Sequence, residues 1–278
     1  MDYNSKKRIN VRSSCRLLGY ARSSYYKQTK RVKAKRKSHA EVLSEVYSIR
    51  QEMPKVGGKK LHYLLRQTLL QSGNAELGRD RLFDLLRENN LLIERRKKCA
   101  ITTNSNHPFK VYRNLILKEV ANHVNQIWVS DITYIRTKQG FSYLSLITDL
   151  YSRKIVGYHT SDSLELKGCV KALEMAFKHG KPMIHHSDRG SQYCSYEYTK
   201  MLKKYNVQIS MTENGNCYEN AVAERMNGIL KQEFNLNATF VDIKHVRKAV
   251  DQAVKVYNSK RPNWSLNLKT PDQVYLAA

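Results

Sequence analysis

Cysteine is sparse in this sequence: five residues, at positions 15, 99, 169, 194 and 217, with no Cys-x-x-Cys pair among them. An odd, unspaced set supports neither a disulfide framework nor a zinc ribbon, and suits a reducing cytoplasm. Long apolar runs are missing too. No stretch approaches the ~18 uninterrupted apolar residues of a membrane helix, and the opening MDYNSKKRIN lacks the apolar segment of a secretion signal. A protein that is neither exported nor membrane-bound is expected. The third shortage is acid. Only 24 Asp and Glu face 49 Lys and Arg, a formal net charge of +25. Solubility does not require that imbalance, so a polyanionic partner is the direct reading, with a merely basic surface or an RNA binder still open on composition alone.

The cationic excess is uneven. Residues 1–110 carry 26 Lys and Arg against 9 acids, and residues 111–278 carry 23 against 15. The front half reads as helical. VRSSCRLLGYARSSYY suggests two short helices around Gly19, with Ser23 and Ser24 as caps, the spacing of a helix-turn-helix over residues 1–30. A basic run over 31–39 reads as a solvated linker. A helical domain is expected over 40–94, with Val42, Val46 and Ile49 at helical spacing, then leucine stripes from Leu61 and from Leu82. Lys59, Lys60, Arg79 and Arg81 stand at helix starts, where a cation opposes the helix dipole and is better placed against phosphate. Residues 95–120 read as a second linker.

After it the texture changes to strands. NQIWVSDITYI, FSYLSLITDLY and KIVGYHT are rich in β-branched and aromatic residues. A helix from Leu164 to Phe177, the strand PMIHHSD, a helix, the short strand VQISMT and a long helix from about Glu219 to Phe234 follow. That order predicts an α/β core with a mixed sheet over 121–240, and a C-terminal helix and tail over 241–278 packing on it.

Three acids fall on separate elements of this core: Asp131 inside the first strand, Asp188 just past PMIHHSD, and Glu224 in the long helix. Such acids can meet at one edge of the sheet, and oxygen donors of this kind hold hard ions such as Mg²⁺, two of which can clamp the attacking and leaving oxygens of a phosphodiester. Their spacing, with 56 residues between the first two and 35 between the last two, proves little in a chain with 24 acids. Context says more. HHSDRGSQY runs a buried-type strand into a turn of groups that a core would not choose. On the long helix Asn220, Glu224, Asn227 and Lys231 share one face, and Val222, Met226, Ile229 and Leu230 share the opposite one. His185 and His186 are open between satisfied strand-end residues and substrate contacts. Trp128 and Trp264 read as packing, and Asp149 as a turn acid.

The strings DITYI, HSDRGSQY, GNCYENAVAERMNGILKQE and YNSKRPNWSLNLKTPDQVY, in that order, resemble the B-frame transposases of the bacterial insertion-sequence family most similar to retroviral integrases. CRLLGYARSSYY and the segment from Gly58 to Leu92 resemble that family's two N-terminal DNA-binding pieces. The resemblance implies a ribonuclease-H-like integrase core with a mixed five-stranded sheet, preceded by all-α helix-turn-helix domains. It implies Asp131, Asp188 and Glu224 as the catalytic, metal-binding triad, served by two Mg²⁺ ions with Mn²⁺ as substitute. Lys231 matches a basic residue that contacts the element's end. His186, Ser187, Gly190 and Gln192 match the second-Asp motif, and Asn216 and Asn220 the loop before the Glu. Tyr218-Glu219 departs from the usual Trp-Asp, and Met226-Asn227 from an aromatic pair, which puts contacts just after Glu224 in doubt.

The expected DNA contacts are Lys231, Asn220, Asn227, Arg189, Gln192, Lys59, Lys60, Arg79, Arg81, Arg22 and Ser23, with His186, Ser187 and Asn216 in support. Expected partners are the terminal inverted repeats and target DNA, further copies of the chain in a homo-oligomer, and an upstream-frame product, separate or fused, in a nucleoid-associated cytoplasmic setting. Two rival readings stay open: a DNA-binding repressor on an inactive core, and a structure-specific nuclease that cuts without joining.

Overall fold

The structure, a computed structural model, describes residues 10–71, 77–93, 108–117, 119–213 and 220–277, without the side chains of 69–71. Asn216 and Cys217 lie outside the described residues, as does most of the expected linker over 95–120. The chain divides into two compact units, one of residues 1–49 with 61–92, the other of 50–60 with 93–278.

The first unit is helical. Helix α1, Val11–Leu17, starts on Asn10, whose side chain accepts from the Arg12 amide. It ends where Gly19 takes a φ of 69°, a left-handed conformation that glycine adopts without strain. Helix α2, Arg22–Glu52, then runs unbroken for 31 residues. This corrects two expectations: Ser23 and Ser24 lie in the first turn of α2 rather than capping it, and the basic run over 31–39 is helix, not linker. Lys and Arg are good helix formers, and no Gly or Pro interrupts residues 22–52. Helices α3, Gly58–Gln71, and α4, Arg79–Glu88, follow, and both bury leucines: Leu61 and Leu65 on the first, Leu82, Leu85 and Leu86 on the second.

The second unit is built on a five-stranded sheet of β1 (Ile127–Thr137), β2 (Gly140–Asp149), β3 (Ile155–Ser161), β4 (Ile184–Ser187) and β5 (Gln208–Met211), in the order β3-β2-β1-β4-β5. β1, β2 and β3 form an antiparallel meander, whereas β4 and β5 add in parallel beyond β1. Those parallel additions need crossovers. Helix α5, Leu166–Ala176, leads from β3 to β4, and the short α6, Ser191–Cys194, with α7, Tyr196–Lys204, leads from β4 to β5. The main core gathers Trp128 and Ile147 of the sheet with Ala172 and Leu173 of α5 and Tyr198 and Leu202 of α7. α5 sits so close to β3 that a Cβ on Gly157 would come within 2.2 Å of the Ala172 carbonyl oxygen.

Side chains alternate across β1. Trp128 enters that core, while Ile127 and Val129 pack with Ala223 and Val222 of helix α8, Ala221–Glu233. By the same alternation Asp131 belongs to the α8 face. Helix α9, Ile243–Lys260, covers β3 with Val246, Val250 and Val254. Its Asn258 amide accepts from the Ile155 N–H and donates to the Ile155 carbonyl, acting as a further strand on that open edge. Helix α10, Pro271–Leu276, closes the chain behind a Thr270–Gln273 capping box. Among the described residues no helix is long and apolar enough to cross a membrane.

Candidate active site

β1 delivers Asp131 from the middle of the sheet, the end of β4 delivers Asp188, and the first turn of α8 delivers Glu224. Asp131 accepts from the Ile132 amide at 2.8 Å and from the Asn227 side-chain amide at 2.7 Å. Its carboxyl is pushed up to about 7, by burial first and then by the charge of Asp188, with Glu224 adding to the effect; the two hydrogen bonds act the other way. Glu224 is exposed and is likewise raised, by burial and by Asp188. The three acids are therefore electrostatic neighbours on separate elements. Among the described residues no three His, Cys, Asp or Glu side chains stand close enough to ligate one ion.

Asp188 is set by a tight turn. Its Oδ1 accepts from the Gly190 amide at 3.0 Å, and a Cβ on Gly190 would press on that same oxygen. Ser187 donates to the Asp188 carbonyl, Arg189 donates to the Thr212 carbonyl, and Gln192 donates to the Leu164 carbonyl. Arg189 and Gln192 thus both bind backbone around the turn.

Asn220 and Asn227, expected on a DNA-facing stripe, are buried at 4% and 6% exposure. Asn220 donates to the Ser130 carbonyl and Asn227 to Asp131, so both hold α8 on β1 beside the first acid. The helical wheel grouped them correctly with Glu224, but the polar face packs on a polar strand. Of the two histidines, His185 proves to be a satisfied strand residue. His185 shares a hydrogen bond of 3.0 Å with the Tyr198 hydroxyl and is held neutral by burial, its pKa lowered to about 3. The Nδ1 of His186 meets Ser210 Oγ at 2.8 Å, across the β4–β5 pairing.

The other expected contacts scatter. Lys59, Arg79, Arg81, Arg22 and Ser23 are exposed, although Arg79 also pairs with Asp80. Lys60 is a correction. It is 7% exposed and bonds to Glu233 at 3.1 Å, beside Arg261, whose guanidinium grips the same carboxylate at 2.7 and 2.8 Å. Lys231 is half-buried on α8. Trp128 packs as expected and donates to Asn125, whereas Trp264, expected to pack, is exposed. Asp149 is the turn acid it was read as: it accepts from the amides of Asn125 and Ser152 and from the Ser152 hydroxyl. Sequence reasoning missed Ser210 and Arg261, since nothing local marks a serine or arginine whose partners lie on other elements.

Two family models, both described as an integrase core domain, match residues 121–217 and 205–271. The sheet order and these matches define an integrase-core protein. The chain is 35% identical over 265 residues to the uncharacterized 31 kDa protein of insertion element IS600 from Shigella sonnei, covering 92% of this chain and 95% of that one. It is 34% identical over 194 residues to the transposase InsF for insertion sequence IS3A from Escherichia coli K12, covering 68% and 67%. The chain belongs to the insertion-sequence transposases with a retroviral-integrase-like core. A chain of the simian T-cell lymphotropic virus intasome, solved by cryo-EM in complex with PP2A regulatory subunit B56 gamma, shares the fold with a TM-score of 0.50 and 20% identity, over 79% of this chain and 74% of that one.

Proposed function

We propose that this protein is the DNA transposase of an insertion sequence, which binds the element's terminal inverted repeats and cuts and rejoins DNA with Asp131, Asp188 and Glu224. The observation that carries the reading is the placement of three acids by β1, the turn after β4 and the first turn of α8 as electrostatic neighbours: burial first, then Asp188 and lastly Glu224, raises the Asp131 carboxyl, and a cation would relieve that cost. The three acids offer oxygen donors, which suit hard divalent ions such as Mg²⁺ or Mn²⁺. Bound there, the ions would lower the pKa of an attacking hydroxyl and stabilise the departing oxygen.

The chain's own contribution is placement. Asn227 and the Ile132 amide favour the ionised form of Asp131, the Gly190 amide orients Asp188, and the well-packed sheet fixes their origins. Glu224, exposed on the first turn of α8, is left to complete the set when DNA and metal arrive. Water attacks a phosphodiester at the element's 3′ end and breaks its bond to the 3′ oxygen, and the freed 3′-hydroxyl then attacks a second phosphodiester in the same site and displaces that strand's 3′ oxygen.

The exposed cations Arg22, Lys59, Arg79 and Arg81, with Lys231 on α8, supply phosphate contacts, and the helix starts near Ser23 and Arg79 serve as the end-reading elements. Joining one end beside another needs both in one assembly, which makes the working form a homo-oligomer. The resemblance adds the upstream-frame product, separate or fused, as a partner.

The test is cleavage and strand transfer on labelled DNA carrying the element's own end, with and without Mg²⁺, comparing the wild type with Glu224→Gln. Loss of both steps with DNA binding retained is expected. Cutting unaffected by Glu224→Gln would sink the triad, cutting without joining would favour a nuclease, and binding without chemistry would favour a repressor.

A further inference from the structure

Helix α1 and the first half of α2 leave between them a groove of about 930 Å³. Cys15, Leu18, Tyr25 and Val32 give it apolar walls, and the charged residues along it are all basic: Lys27, Arg31, Lys33 and Arg36. Leu18 stays 69% exposed, and Tyr25 and Val32 also remain open to water. Tyr25, Thr29, Val32 and Arg36 run along α2 at i, i+4, i+7 and i+11, so the trough follows the helix axis.

We propose that this groove docks an amphipathic helix with acidic flanks belonging to a different protein. An open apolar trough of this kind is the form in which helices are recognised by their i, i+3, i+4 and i+7 side chains. Its apolar walls gain nothing from the sugar–phosphate backbone of DNA, which rewards cations and not leucine or valine. A second copy is disfavoured by charge: from Arg22 to Lys37 α2 carries eight Lys and Arg and no acid, so two such grooves repel. The acidic half of α2, with Glu41 and Glu45, already buries its Val42 and Val46 and offers no free apolar face there. What remains complementary is a helix apolar on one side and acidic beside it.

The test uses the full-length protein and a fluorescein-labelled designed helix of about 18 residues, with Leu at i, i+3, i+4 and i+7 and Glu on the flanks, beside a scramble of the same composition. Saturable binding in the micromolar range is expected, about tenfold tighter than for the scramble. Leu18→Gln and Val32→Gln should each weaken it about tenfold, with unchanged circular dichroism. Equal binding of the scramble would reduce the groove to a polyanion surface, and absence of saturable binding would overturn the proposal outright. If both variants lose DNA affinity in parallel, the occupant is DNA; if they alter self-association in sedimentation velocity, it is a second copy.

Discussion

The side-chain amide of Asn227 donates to Asp131 across 2.7 Å, tying the helix that carries one acid of the site to the strand that carries another. Asn227 touches neither water nor any exposed surface to a useful extent, so its effect runs through Asp131. On the proposed function, Asn227→Ala is expected to keep the fold and to lower single-turnover cleavage about 10- to 100-fold, the usual scale for losing the hydrogen-bond partner of a metal-binding group. Unchanged cleavage would separate the hydrogen bond from the chemistry.

The crowding of three carboxylates predicts a response to metal in the absence of DNA. Mg²⁺ at millimolar concentration should raise the melting temperature of the wild type by several degrees, because binding to the folded state alone stabilises it. Asp131→Asn should melt higher than the metal-free wild type and show a smaller response to Mg²⁺. Scanning calorimetry with and without the ion reads both; an equal Mg²⁺ response in the two proteins would argue against Asp131 as a ligand.

Lys60 and Arg261 share Glu233, but they are not equivalent. Burial, then the neighbouring Arg261 charge, lowers Lys60 to about 8, outweighing Glu233. Burial pushes Glu233 up, yet the hydrogen bonds and charge of Arg261, followed by those of Lys60, hold it below its ordinary value. Arg261→Met should therefore cost roughly 3–5 kcal/mol by stranding a buried carboxylate, whereas Lys60→Met should be close to neutral at pH 7.

The sign for Lys60 follows from linkage. Between about 8 and its ordinary 10.5 the unfolded chain holds the Lys60 proton and the folded one does not, so this group's contribution to stability rises with pH. Any advantage of Lys60→Met over the wild type is thus largest below pH 8 and shrinks above it. Urea unfolding at pH 7 and pH 9.5 measures the difference; an advantage that grows with pH would reverse the assignment. The Glu233 contribution is instead lost as pH falls below the carboxylate range.

Salt dependence separates surface cations from buried ones. Lys30, Lys35 and Lys37 lie on the exposed basic half of α2, off the groove. Replacing all three by Ala should reduce the slope of log affinity against log salt by about 2–3 units, at about 0.9 per phosphate contact on duplex DNA. Lys60→Ala should leave the slope unaltered. Filter binding between low and physiological salt reads both.

What the sequence disclosed depended on whether a signal was local. Strand character around Asp131, the strand-to-turn change at Asp188 and the two-sided pattern of α8 are short-range properties, and each survives in the folded chain. The face of α8 was legible, but not what it meets: periodicity groups Asn220 and Asn227 with Glu224 without revealing that β1 presents a backbone carbonyl and a carboxylate to them. Lys60 was misjudged for the same reason. Its position at a helix start is local, whereas Glu233 lies 173 residues away. The basic run of α2 was taken for linker because dense charge hides any apolar period, although its residues favour helix.

The sheet's change of sense at β1 has a consequence for the order in which the chain is made. Its antiparallel neighbour β2 follows at once, so the strand bearing Asp131 can pair as soon as residues 127–149 are available. Its parallel neighbour β4 and the helix α8 come much later in the chain, and only they bring Asp188 and Glu224. A nascent or truncated chain that ends before α8 can own a folded hairpin with Asp131, yet it lacks Glu224 and, on the proposed function, leaves DNA intact.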